Sequence, residues 1–500
     1  MAVEAHISRP GIASAVNPRL GRSLARDLAA SVTAAVALGY AVAASGSYGV
    51  PPSLIVAAAV GAAAIPALVI LCIARPIDVL LISWVLFVVQ EPLRAYASYV
   101  SHSAGVFAGR IDDVVLLILA CSVFLRHLSR PRSFNAFPAV AIAAVLGIVG
   151  VASAVLRGDV GAWTLVGGWL SLKFWVVLGL TLAMPWRPAD VGRVTKYVLA
   201  TGVVVALLGG LDYASPGFLH HVLHTTSVDF DAPDRARSHA VQSVFTSPSR
   251  YSNFMSLAVA VALAKWAVTR SRSSLLLGFA LALAGVASLR LRGVLALIAA
   301  AAVVILVTRY RRPGRIVQLG LMITVVVVTL GAAPFVEQLS KFTSHTEQTA
   351  RGQLYANAFA LAAEDFPLGT GFGRYGSYAS VLYYSPYYED LGMEQKYGFS
   401  RDHPQYLTDT SWSSYLAETG YAGTALLLGA LLYLGSRLRR LARSATHAER
   451  TAAVAALAVL AAVLVMSVGS AALLDSVLIV ALAMYSGCAL ARQRRSAADI

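Results

Sequence analysis

The sequence is poor in charge. Only 13% of its 500 residues are Asp, Glu, Lys or Arg, whereas about a quarter are charged in an average soluble domain. Acidic residues are especially scarce, with 25 Asp and Glu against 40 Lys and Arg. Hydrophobic residues make up 58% of the chain, in runs of about 20 that match a membrane-spanning helix. These features exclude an ordinary soluble domain and predict an all-α, polytopic integral membrane protein.

Cysteine is also rare. Cys72, Cys121 and Cys488 all lie in predicted apolar helices, where they form neither a disulfide framework nor a metal-ligand spacing. No basic patch with interleaved aromatic residues stands apart from the apolar runs, so the net charge of +15 does not indicate nucleic acid. We therefore expect no cofactor, no metal and no nucleic-acid partner.

Most basic residues border the apolar runs in short clusters, as positive-inside loops do. If these clusters face the cytoplasm, the pattern fits about 12–14 transmembrane helices with both termini cytoplasmic. The helices are predicted at residues 29–47, 53–74, 77–90, 112–126, 136–156, 164–185, 193–212, 251–269, 274–289, 293–308, 315–335, 411–436, 451–470 and 472–491.

Two outer loops are long enough to carry function. The resulting plan has an N-terminal arm (1–28), a first helical region (29–212), an outer loop (213–250), a second helical region (251–335), a large tyrosine-rich outer loop (336–410), C-terminal helices (411–491) and a cytoplasmic tail (492–500).

Polar residues that could bind or react with a ligand are concentrated in the predicted outer segments. Arg290 and Arg292 occupy a predicted outer turn, "SLRLRG", where positive charge is disfavoured. Their guanidinium groups either snorkel to the interface or serve a function at the membrane edge, and arginine suits a diphosphate. Arg237 and Arg250 lie in the first outer loop, where a solvated surface role is the alternative.

The large loop contains three further features. Arg351 begins a helical-looking stretch that ends at Pro367 and is followed by a glycine turn at residues 369–373. Such a turn is either a backbone corner or a point where a substrate approaches closely. His403 and Asp409 precede the next helix, and Asp409 is either its N-cap or a general base.

Several segments together resemble the O-antigen ligase/polymerase superfamily. They are Arg351-x-x-Leu354-Tyr355-x-x-Ala358, Asp365-Phe366-Pro367-Leu368-Gly369-Thr370-Gly371-Phe372-Gly373, Asp409-Thr410-Ser411-Trp412 through Gly423, "LRG" at 291–293 and "SVFTSPSRYSNF" at 243–254. The resemblance spans about residues 235–425, with order and spacing intact.

The resemblance implies a GT-C-like, metal-independent glycosyltransferase of the bacterial inner membrane with a periplasmic active site. Its donor would be an undecaprenyl-diphosphate-linked glycan, and its acceptor a lipid-linked glycan or lipid A core. Membrane lipids and other polysaccharide-assembly proteins are further expected partners. Arg292 and Arg351 would hold the diphosphate, with Asp409 or His403 as base. Substrate binding is further predicted for residues in or beside these segments and, from charge alone, for two other arginines: Arg250, Tyr355, Gly371, Gly373, Arg374 and Trp412, then Arg237 and Arg290.

One departure from the family pattern bears on the activity. Ligases of this superfamily open the last motif with His-Asn, where this chain has Asp409-Thr410. We therefore expect a polymerase of O-antigen or exopolysaccharide repeat units, with an O-antigen ligase as the closest alternative and a lipid-linked glycan flippase as one from another class. The tyrosines of loop 336–410 are expected to stack on sugar faces and cover the site.

Overall fold

The computed structural model describes residues 68–100, 105, 108–128, 136–216, 218–223, 240–308, 350–396, 398–444 and 446–498. The chain divides into two units, residues 1–75 and 76–500; of the first, only 68–75 are described, and 68–74 are helical. Several predictions fall outside the described residues: the arm 1–28, the helices 29–47 and 315–335, most of the helix 53–74, and Arg237.

Every regular element in the described part of residues 76–500 is a helix. The helices are α1 (Pro76–Val88), α2 (Gln90–Val100), α3 (Ile111–Leu128), α4 (Phe137–Leu156), α5 (Ala162–Ala183), α6 (Pro188–Ala214), α7 (Phe218–Leu223), α8 (Pro248–Thr269), α9 (Arg272–Val286), α10 (Leu291–Thr308), α11 (Ala350–Glu364), α12 (Tyr378–Leu382), α13 (Tyr387–Asp390), α14 (Ser411–Ser444), α15 (His447–Val468) and α16 (Ser476–Ala498).

The all-α class and the multi-pass membrane character are confirmed. Among the described helices, seven are long and apolar enough to cross a membrane: α4, α5, α6, α8, α10, α14 and α15. The pair α1–α2 is bent by 58° and could form an eighth span, while α9 and α16 are shorter apolar helices. Helix α2 was not predicted, because "QEPLRAYASYV" is too polar to register as an apolar run.

The bundle has two distinguishable ends. Turns joining α4 to α5, α9 to α10 and α15 to α16 lie at one end, together with residues 350–410; we call this the loop end. Turns joining α5 to α6, α8 to α9 and α14 to α15 lie at the opposite end, where Arg193 pairs with Asp78. The arginine clusters at residues 187–193 and 437–443 belong to this opposite end, as the charge pattern predicts.

A buried charge network crosses the bundle. Lys173 of α5 is almost fully buried, and its ammonium lies 3.1 Å from an Asp112 oxygen and 2.7 Å from an Asp113 oxygen of α3. The same ammonium donates to Ser476 of α16 at 2.9 Å. Each buried charge in this network has an opposite charge or a hydroxyl as its partner. The network therefore has a structural role, because it links α3, α5 and α16.

The large loop is folded around its own core rather than open. Leu354 and Ala358 of α11 pack with Tyr375, Tyr384 and Tyr388 in one buried cluster. These three tyrosines are between 0% and 6% exposed. The expectation that the loop tyrosines stack on sugars is therefore wrong for these three, because burying aromatic rings is what folds the loop. Of the others, Tyr378 and Tyr383 are exposed.

The glycine turn after α11 docks into a break in α14. Gly420 has φ 66° and ψ −166° and interrupts the helix, which frees the carbonyls of Ala417 and Glu418. Thr370 N–H donates to the first at 2.8 Å and Gly371 N–H to the second at 2.9 Å. In return, Ala422 N–H donates to Pro367 at 3.0 Å. The loop is thus joined to the bundle by backbone hydrogen bonds.

Candidate functional site at the loop end

The C-terminal turn of α15, residues 468–470, is where several predicted site residues meet. Ser411, the first residue of α14, donates from its N–H and its hydroxyl to the Ser470 carbonyl, at 3.2 and 3.1 Å. Buried Asn253 of α8 donates to the Ser470 hydroxyl at 3.5 Å. These contacts bring the segments 243–254 and 409–423 to the same turn.

Arg292 reaches this turn from the start of α10. Its guanidinium donates to the Gly469 carbonyl, at a helix C-terminus where the macrodipole favours positive charge. Gly293 allows α10 to pack closely against α8, since a Cβ there would lie 1.8 Å from the Ser252 hydroxyl of α8. The preceding Leu289 has φ 54°, a region that bulky residues rarely adopt and that is enriched at functional sites.

Arg351 and Asp409 form an ion pair. A guanidinium nitrogen of Arg351 lies 2.8 Å from an Asp409 carboxylate oxygen, and the two side chains are 42% and 27% exposed. Arg351 also lies beside the α15 turn, because its Nε is 3.8 Å from the position that a Cβ on Gly469 would take. Three predicted catalytic residues, Arg292, Arg351 and Asp409, therefore gather around one turn.

The N-cap of α14 is Thr410 rather than Asp409. The Thr410 hydroxyl accepts the Ser413 N–H at 3.4 Å and also hydrogen-bonds to the Ser413 hydroxyl. The N-cap alternative for Asp409 is therefore wrong, because the helix begins one residue later than that role requires. The Asp409 carboxylate turns to Arg351 instead.

Tyr355 completes the group. It lies one helical turn after Arg351 on α11, and its hydroxyl donates to the Val468 carbonyl at 2.9 Å. Burial raises the pKa of Tyr355, although a hydrogen bond with Thr410 and the charge of Arg351 act in the other direction. We call Arg292, Arg351, Tyr355 and Asp409 the arginine–aspartate cluster.

The cluster suits an anionic group beside a carboxylate. Its own members supply two guanidinium groups and one carboxylate. The Nε of Arg351 is buried and has no hydrogen-bond partner among the described residues. A buried donor left unsatisfied costs free energy. A phosphate oxygen bound here would satisfy this donor and balance the charge.

Two other arginines predicted to bind substrate have acidic partners within the protein. Arg250 pairs with Glu91, whose second carboxylate oxygen accepts from the Thr246 N–H at 2.7 Å. Arg374 is buried, pairs with Asp159 and lies 4.5 Å from the Trp163 ring centroid. Both arginines have clear structural roles, and substrate binding by them stays a prediction.

Arg374 belongs to a reciprocal pair of contacts between the loop and the α4–α5 turn. That turn supplies Asp159 to Arg374, and it supplies Arg157 to Asp365 and to the Tyr387 hydroxyl. We call the two ion pairs Arg157–Asp365 and Arg374–Asp159 the loop latch. With the glycine turn, the latch fixes α11, and hence Arg351, relative to the bundle.

Atoms of α4 and α5 lie close to two glycines of the turn. Gly371 has φ 92°, and a Cβ there would lie 2.7 Å from the Ala154 Cβ; a Cβ on Gly373 would lie 2.2 Å from the Trp163 carbonyl oxygen. Of the two alternatives for the turn, a backbone corner accounts for these contacts, and close approach of a substrate stays a prediction.

The remaining predicted residues, His403, Arg290 and Trp412, are not members of the arginine–aspartate cluster. His403 is exposed, and its N–H donates to Ser400. Arg290 is half-buried in the α9–α10 turn, where its carbonyl accepts the Gly293 N–H at 3.1 Å. Trp412 is half-buried in the first turn of α14.

Three groups that contact the predicted segments at the loop end were not predicted from the sequence. The carbonyls of residues 468–469 are contributed by backbone, which carries no side-chain signal. Glu418, for which the sequence analysis predicted no role, is buried and accepts the Tyr375 N–H at 3.1 Å, with Gly373 and Arg374 N–H groups also donating to it. A glutamate followed by Gly420 within an apolar helix is the signal that could have revealed this docking point.

Comparison with protein-family models and with curated proteins found no match for the chain.

Proposed function

We propose that the protein is a membrane glycosyltransferase that polymerises undecaprenyl-diphosphate-linked repeat units of an O-antigen or exopolysaccharide. The observation that carries the proposal is the ion pair of Arg351 with Asp409, beside Arg292. These residues come from three separate segments of the resemblance to the O-antigen ligase/polymerase superfamily, and the fold gathers them at one turn.

The cluster provides the groups that the reaction needs. An acceptor hydroxyl would attack the anomeric carbon of the donor sugar as its bond to the diphosphate oxygen breaks. Asp409 would accept the hydroxyl proton, and Arg292 and Arg351 would stabilise the negative charge that grows on the departing diphosphate. This assignment requires no metal.

The ion pair also suggests an order of events. Diphosphate oxygens would compete with the Asp409 carboxylate for Arg351, since arginine binds both groups through the same planar donors. Donor binding would thus release Asp409 to act as base. The half exposure of both side chains is consistent with such an exchange of partners.

The positive-inside rule supports a periplasmic location for the cluster. Basic residues at 187–193 and 437–443 lie at the end of the bundle opposite the arginine–aspartate cluster. Groups of basic residues at the ends of spanning helices favour the cytoplasmic side. A lipid-diphosphate donor carries its own leaving group, so it could drive the transfer on the outer face of the inner membrane.

The test is incubation of the purified protein with a lipid-linked repeat unit. A ladder of longer lipid-linked products is expected from the wild type and from Arg401→Ala, a control arginine that lies over the Tyr384 ring, 5.2 Å from its centroid. Arg351→Ala and Asp409→Asn should give no ladder. Transfer only after lipid A core is added would indicate a ligase, and no transfer under either condition would overturn the proposal.

A further inference from the structure

A groove at the opposite end of the bundle has no part in the proposed reaction. It is a cavity of about 550 Å³ lined by α6, α8, α9 and α15, with apolar side chains such as Val191, Leu199 and Leu277. Two lysines, Lys196 of α6 and Lys265 of α8, also line it, and none of its lining residues is acidic.

Each lysine lies at the border of an uncharged run of its helix. Lys196 is the last charged residue before an uncharged run at residues 197–211 of α6, and Lys265 directly follows an uncharged run at residues 251–264 of α8. Each lysine therefore separates a charged end of its helix from an uncharged stretch. Helix α6 has 27 residues, about 40 Å, which exceeds the hydrocarbon thickness of about 30 Å.

The charge of these lysines is not neutralised by the described residues. Neither ammonium forms an ion pair or a hydrogen bond with any of them. The nearby carboxylates have other partners: Asp190 accepts from the Arg187 N–H and from Arg193, and Glu449 accepts from Thr446. An anion bound at the mouth of the groove would meet two cations and no competing acid from the lining.

We propose that this groove binds an anionic membrane phospholipid, with the phosphate between Lys196 and Lys265 and an acyl chain along the apolar wall. The combination fits a lipid because Leu199, Ala200 and Val203 continue the groove wall from Lys196 toward the middle of α6. Basic pockets between helices on the cytoplasmic side are known to select anionic head groups.

The test is titration of the full-length protein, in detergent and without donor substrate, with dioleoyl phosphatidylglycerol or dioleoyl phosphatidylcholine. Apparent dissociation constants come from native mass spectrometry. The anionic lipid should bind more tightly to the wild type. Lys196→Gln and Lys265→Gln should each weaken its binding about fivefold, and the double variant should bind both lipids equally. Lys396→Gln, a control in the outer loop, should match the wild type.

A second variant separates the groove from general surface charge. Ala200 lines the groove and is exposed, so Ala200→Phe should obstruct the acyl chain and weaken binding of both lipids without altering thermal unfolding. Equal affinity of the wild type for both lipids, an unchanged preference in the double lysine variant, or undiminished binding to Ala200→Phe would each overturn the proposal.

Discussion

Two pairs of arginines lie at the same end of the bundle and differ in what surrounds them. In the loop latch, Arg157 and Arg374 each have an aspartate partner and an aromatic ring at 5.6 and 4.5 Å. In the arginine–aspartate cluster, Arg292 donates to a backbone carbonyl, and Arg351 pairs with a half-exposed Asp409. Residue type alone therefore does not separate the two pairs of arginines, which differ in the burial and the aromatic neighbours of their side chains.

The strongest expected difference between the pairs is in activity. Arg351→Ala should lower the rate of product formation by at least about 100-fold, as loss of one preorganised charge-stabilising donor does. Its stability should change by no more than about 0.5 kcal/mol, because the side chain is 42% exposed. Product ladders and thermal unfolding, measured on the same preparation, check both values. Near-normal activity would mean that Arg351 is a structural arginine like those of the latch.

The latch should show the reverse behaviour. Arg374→Ala leaves Asp159 without its partner, and breaking a fully buried pair costs about 3–5 kcal/mol. Asp159 is 30% exposed, so we expect a smaller loss, about 1–3 kcal/mol, and faster proteolysis of residues 365–396. The double variant Arg374→Ala/Asp159→Ala should regain part of the stability. If Arg374→Ala unfolds as the wild type does and yet makes no product, Arg374 belongs with the ligand-binding arginines.

The glycine turn offers a matched pair of variants. Gly371 and Gly392 both have positive φ, 92° and 62°, but a Cβ on Gly371 would meet Ala154 at 2.7 Å while one on Gly392 meets nothing within 4 Å. Gly392→Ala should cost only the left-handed strain, about 1 kcal/mol. Gly371→Ala should cost clearly more in thermal unfolding. Equal losses would show that the turn does not hold the loop against α4.

The sequence was sufficient to predict the seven helices that are long and apolar enough to cross a membrane, and part of the candidate site. Apolar runs predicted α4, α5 and α6 to within a few residues, because spanning helices are set by local composition. Arg292, Arg351 and Asp409 were predicted from motifs, and the fold brings them together. Neither result required knowledge of distant contacts.

What could not be predicted depends on contacts between distant segments. The burial of Tyr375 and Tyr388 follows from their packing against α11. The sequence of a tyrosine-rich loop does not show whether its rings are buried or exposed to solvent. Glu418 and Gly420 could indicate a break in α14, but only the hydrogen bonds show that residues 367–371 are the segment that docks there. The capping role passed from Asp409 to Thr410 by a shift of one residue, which is within the usual uncertainty of helix ends.

The smallest expected effect within the cluster is that of Tyr355. Its hydroxyl donates one hydrogen bond, to Val468, worth about 0.5–1.5 kcal/mol, so Tyr355→Phe should lower activity about 2- to 10-fold. Burial raises the pKa of Tyr355 above its usual value of 10.0. The neutral form therefore persists below pH 10, and any stability that depends on it is lost only as the pH rises beyond that value. Tyr355→Phe should keep the wild-type pH–rate profile from pH 6 to 9. A displaced alkaline limb would mean that Tyr355 ionises in the working range and that the cluster holds a base besides Asp409, the base that we propose.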